Sequence, residues 1–73
     1  EMRLLGLTIA FYRRARGLTQ SELAEAVQIS RTHMSNIEAP NTKTSISLNL
    51  LFDIAEALDI PVKELFDFQG RSL

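Results

Sequence analysis

The sequence predicts an all-α domain of five short helices within 73 residues. Apolar residues recur at three- and four-residue steps, the spacing of one helical face. Hydroxyl caps open three of these runs, and Gly17 and Pro40 close two of them. No segment is read as a strand. A chain this short hides only about 60% of its unfolded surface, so pairing with a second copy would help it.

Helix 1 is expected from about Met2 to Arg16, with Leu5, Ile9 and Tyr12 on one face and Gly17 as its stop. Thr19-Gln20-Ser21-Glu22 is a capping box, in which hydroxyl and carboxylate each satisfy a free amide of the other's backbone. It opens helix 2, whose inward residues are Leu23, Ala24 and Val27. Gln28 and Ile29 form a turn, Ser30 caps helix 3, and Met34 and Ile37 supply that helix's inner face. Pro40 ends helix 3, because the residue before a proline is pushed out of the α region. A polar loop runs from Ala39 to Ile46. Ser47 then caps helix 4, with Leu48, Leu51, Phe52, Ala55 and Leu58 facing inward. Pro61 starts a short helix 5 carrying Val62, Leu65 and Phe66, and residues 67–73 read as a tail.

Composition narrows the function. With no cysteine there is no disulfide and no thiolate nucleophile or ligand. One histidine, no Gly-rich loop and no carboxylate pair at a telling spacing argue against an enzyme, a cofactor or a metal site. The pairs Glu22/Glu25 and Asp53/Glu56 read as solvated helix faces. No apolar run approaches the roughly 18 residues of a membrane span, and a signal-peptide layout is lacking, so a cytoplasmic protein without membrane contact is expected. The net charge of −1 is unevenly spread. Residues 1–46 hold six bases against four acids, and residues 47–73 two bases against five acids. A basic face can coexist with such a balance, although few cations are available to displace counterions from DNA.

The helix 2–helix 3 corner is a motif that structural bundles and DNA-binding domains share. Here its residues are specific. Gly17-Leu18-Thr19-Gln20-Ser21-Glu22-Leu23-Ala24, then Ile29-Ser30-Arg31 and Met34-Ser35-Asn36-Ile37-Glu38, closely resemble the Xre/Cro/phage-repressor (Cro/C1-type) helix-turn-helix family. Ile54-Ala55-Glu56-Ala57-Leu58-Asp59-Ile60 with Glu64-Leu65-Phe66 is similar to that family's last two helices, so the resemblance covers about Leu5 to Phe66. It implies a compact five-helix lambda-repressor-like DNA-binding domain over residues 1–66, with its helix-turn-helix unit at about 19–38. The implied function is that of a bacterial or phage transcriptional regulator, of repressor type.

In this family helix 3 lies in the major groove with its N-terminal residues on base edges. Carried over by position, Arg31, Thr32, His33 and Asn36 become the base readers. Arg31 suits guanine O6 and N7, and Asn36 suits adenine N6 and N7. Gln20, Ser30, Asn41, Thr42, Lys43 and Thr44 become phosphate contacts, Gln20 because a helix's first turn favours anions. The resemblance also implies a partly buried ion pair between Arg13 and Glu38. Two positions depart from the family's usual pattern. Gln28 stands where glycine is common and positive φ is needed, at about 1 kcal/mol. Ala39-Pro40 replaces a basic residue and glycine.

The expected partners are a pseudo-palindromic double-stranded operator and a second copy of the chain. Two apolar surfaces suit association: Val62, Phe66, Phe68 and Leu73 at the helix 5 end, which is favoured for the dimer, and Leu4, Leu7 and Phe11 on helix 1. Leu50 adds an apolar residue on helix 4. A rival reading is a protein-interaction module, such as an antitoxin or anti-repressor, that binds another protein through these surfaces.

Overall fold

Hydroxyl caps set three of the helix starts. In the computed structural model, which describes residues 2–39 and 45–67, the order is α1 (Met2–Ala15), α2 (Gln20–Ala26), α3 (Arg31–Glu38), α4 (Leu48–Ala57) and a 3-10 helix (Val62–Phe66). The described residues contain no strand. Thr19 accepts from the Glu22 amide while the Glu22 carboxylate accepts from the Thr19 amide, completing the capping box. Ser30 accepts from the His33 amide and Ser47 from the Leu50 amide.

Three helix ends share one stop. After α1, α2 and α4 the chain passes through a single left-handed residue: Gly17 (φ 73°), Gln28 (φ 63°) and Asp59 (φ 59°). In each case that residue and the next donate backwards. Gly17 and Leu18 bond Arg14 and Arg13 carbonyls, Gln28 and Ile29 bond Glu25 and Ala24, and Asp59 and Ile60 bond Glu56 and Ala55. This is the Schellman arrangement, which satisfies the orphan carbonyls of a helix end. The residue after each stop is apolar, and Leu18, Ile29 and Ile60 all pack against the core. At α4 the guanidinium of Arg16 adds bonds to the carbonyls of Leu58 (2.7 Å) and Asp59 (3.2 Å), tying the end of α1 to the end of α4.

Every element sends a residue to the centre. Ile9, Leu23, Met34, Ile54 and Leu65 are fully buried, one each from α1, α2, α3, α4 and the 3-10 helix, and Leu58 just after α4 joins them. α2 packs on α3, α1 on α3 and the 3-10 helix, and α4 on the 3-10 helix and α2. Gly6 makes the α1–α3 approach possible, since a Cβ there would run into the Ile37 carbonyl and crowd the backbone of Glu38.

One expectation needs correction and another is refined. The inner stripe of α4 is Leu51, Ile54 and Ala55, continued by Leu58, whereas Leu48 and Phe52 are 64% and 48% exposed. Leu51, Ile54, Ala55 and Leu58 keep the i, i+3, i+4, i+7 spacing, and Leu48 and Phe52 sit one step round the helix from that stripe. The fifth helix is a 3-10 helix of five residues, too short to repay α-helical nucleation. Its Leu65 is inside, Val62 half-buried, and Phe66 51% exposed. Phe68, Leu73 and most of the expected tail lie outside the described residues.

Gly6→Ala is expected to lower stability in urea by about 1–2 kcal/mol, because the clash is with backbone and outweighs alanine's better helix propensity. An unchanged midpoint would contradict the close approach. At the exposed Gln28, valine should lower stability by about 1 kcal/mol while glycine leaves it level or higher, read from the same titration.

Candidate nucleic-acid interface

α3 has two faces of different chemistry. Met34, Ile37 and Glu38 are buried, while Arg31, Thr32 and Asn36 are exposed and His33 and Ser35 half-buried. Thr32 and Asn36 are four residues apart and share one side of the helix. Arg31 begins the helix, exposed, where the macrodipole disfavours a cation. Ser35, which lies four residues after Arg31 and three after Thr32, belongs with this outer half. Its spacing marks it, although its small side chain drew no assignment from the sequence.

A polar cluster behind α3 holds it to the rest of the fold. Arg13 Nε donates to Glu38 Oε2 at 2.7 Å and Nη2 to Oε1 at 3.1 Å, a two-bond fork in the interior. Arg13 Nη1 donates to the Leu18 carbonyl at 2.7 Å. Gln20 Nε2 donates to Glu38 Oε1 at 3.0 Å. Gln20, half-buried at the start of α2, is therefore joined to the ion pair. Nothing in local spacing announces that bond, which links residues 18 positions apart. Ser30 uses its hydroxyl oxygen as the α3 cap and retains an O–H to donate outward. Asn41, Thr42, Lys43 and Thr44 lie outside the described residues.

The cations divide by task. Arg13 is buried against Glu38 and Arg16 is spent on the carbonyls after α4. Arg14 and Arg31 are exposed. Since both charges of the Arg13–Glu38 pair are buried (side chains 10% and 3% exposed), losing either partner leaves the other uncompensated. Glu38→Gln or Arg13→Met should each cost about 3–5 kcal/mol in denaturant melts. Losses below about 1 kcal/mol would reduce the pair to a surface contact.

Comparison with known proteins places the chain. The family model described as Helix-turn-helix matches residues 9–65. The HTH-type transcriptional regulator SinR of Bacillus subtilis is 34% identical over 64 residues, covering 88% of this chain and 57% of that protein. The chain thus spans little more than half the length of that relative. Among solved structures, the restriction-modification controller protein C.AhdI from Aeromonas hydrophila superposes with a TM-score of 0.82 at 31% identity, over 89% of this chain and 96% of the other. SinR, described as the master regulator for biofilm formation and solved in complex with DNA, gives a TM-score of 0.77 at 35% identity, over 86% and 98% of the two chains. With most of its length matched by the family model and its corner built as the motif requires, this chain belongs to the helix-turn-helix family of Xre/Cro/phage-repressor type.

Proposed function

We propose that the chain is the sequence-specific, double-stranded-DNA-binding part of a transcriptional regulator, of repressor type, with α3 entering the major groove. The observation that carries this reading is the polar outer face of α3, backed by a buried ion pair that holds the helix in place. The likeness to SinR in complex with DNA supports it. Arg31, Thr32, His33 and Asn36 read bases, and Ser35, on the same outer half by its spacing, joins them. Phosphates are held by Ser30 through its free O–H, by Gln20, and by Asn41, Thr42, Lys43 and Thr44. Residues 1–66 form the DNA-binding domain and 67–73 a tail. The protein works in the cytoplasm, without catalysis.

A two-fold dimer on a pseudo-palindromic site is the assembly proposed, with half-sites about 34 Å apart. The exposed Phe66 provides an apolar contact at the 3-10 end, and Leu7 and Phe11 offer a second surface on α1 for a protein partner. Among the described residues no helix is long and apolar enough to cross a membrane.

Selection from random duplexes at low salt tests the reading. A two-fold site should be enriched, and Arg31→Ala should relax one base position by about 1–3 kcal/mol. A folded sample that enriches nothing would sink it. With Arg13 and Arg16 engaged internally, the bases left in residues 1–46 are Arg3, Arg14, Arg31 and Lys43. The slope of log K against log salt should then be no steeper than about −4 per protomer. A much steeper slope would point to cations beyond these four.

A further inference from the structure

The bond from Gln20 to Glu38 closes the open end of the corner. Gln20 is the first residue of α2 and Glu38 the last of α3, whereas the Gln28–Ile29 turn joins the other two ends. Relative to α2, the motion left to α3 is opening and closing about that turn, which the packing of α3 on α1 also limits. Apolar contacts among Leu23, Ala24, Met34 and Ile37 resist it without direction. The Gln20 bond resists it with direction, because a hydrogen bond weakens steeply once distance and angle depart from ideal. It is also charge-assisted, ending on the oxygen that accepts from Arg13 Nη2. The amide suits this position: it supplies a donor to Glu38 without adding a charge to a pair already balanced.

We propose that Gln20 is a positioning residue for DNA reading, which sets the angle of α3 through Glu38 and so the reach of Asn36 into the groove. This rests on the DNA-binding reading of α3 given above. The role leaves the second N–H of the amide and its carbonyl available, so it adds to a phosphate contact and does not replace one.

Two near-isosteric variants separate the roles. Gln20→Met removes the donor, and Gln20→Glu sets a carboxylate against Glu38. Each is compared with the wild type for the ratio of affinities on selected and random duplexes at fixed salt, for melting temperature, and for the α2–α3 angle in the free protein from backbone residual dipolar couplings. Gln20→Met is expected to lower the ratio about tenfold, the scale of one bond to a charged group. Gln20→Glu should lower it further. Base preference should fade most opposite Asn36, and the α3 couplings should shift relative to α2. Equal weakening on all duplexes with unchanged couplings would overturn the proposal in favour of a phosphate contact alone. A lower melting temperature with an unchanged ratio would overturn it in favour of a purely structural bond. If the wild type selects no duplex, the DNA-binding reading falls, and the couplings alone then decide whether Gln20 sets the angle.

Discussion

The position of α3 depends on a carboxylate that the fold takes inside. α3 has eight residues, too few to persist as an isolated helix. Its apolar face contributes only Met34 and Ile37, and its third buried residue is Glu38. A buried carboxylate without a partner would expel the helix end into water. The fork from Arg13 prevents that, and Arg13 in turn is steadied by the Leu18 carbonyl and Gln20 by the same carboxylate. One polar cluster therefore joins α1, the α1–α2 turn, α2 and α3. Gly6 lies beside it and lets the two backbones approach. The Coulomb energy of the ion pair is largely offset by desolvation, so its weight shows when one partner is lost and the other stays buried and uncompensated.

The rest of the core rests on how the chain turns. The Schellman stops at Gly17, Gln28 and Asp59 each throw an apolar residue back onto the centre. Leu18, Ile29 and Ile60 thereby do for the connections what Ile9, Leu23 and Ile54 do for the helices. Only one of the three stops is glycine, so two of them hold their left-handed residue against its own preference. The bonds to the orphan carbonyls and the apolar contact that follows supply the compensation.

Much of this was legible in the residues, and the gaps have physical causes. The capping box, the Ser30 and Ser47 caps, the Gly17 stop and the inner residues of α1, α2 and α3 are local features, written within four positions of one another. So was the positive φ at Gln28, once the family's turn pattern was in view. α4 was harder. Leu48, Leu50, Leu51, Phe52 and Ile54 crowd one stretch, and periodicity alone does not say which side of so apolar a helix meets the core. At residues 62–66 the sequence predicts a short helix but not its type, because the spacing of Val62, Leu65 and Phe66 serves α and 3-10 winding alike. Arg16 on the α4 carbonyls and Gln20 on Glu38 join residues 42 and 18 positions apart. Side-chain type gives no hint of such pairings until the helices are placed. Arg16 is one of the six bases of residues 1–46, and its engagement on the carbonyls after α4 leaves the proposed interface sparser than composition suggests.

The two faces of α3 have a consequence for descent. Thr32 and Asn36, and Arg31 beside them, lie on the solvent side, while Met34, Ile37 and Glu38 look inward. A lineage can therefore change these exposed side chains without renegotiating the core. The inward residues have no such latitude, because each change there must be matched on α1 or α2. Divergence in this domain should be fast on one side of eight residues and slow on the other, so that one scaffold can carry many different outer faces.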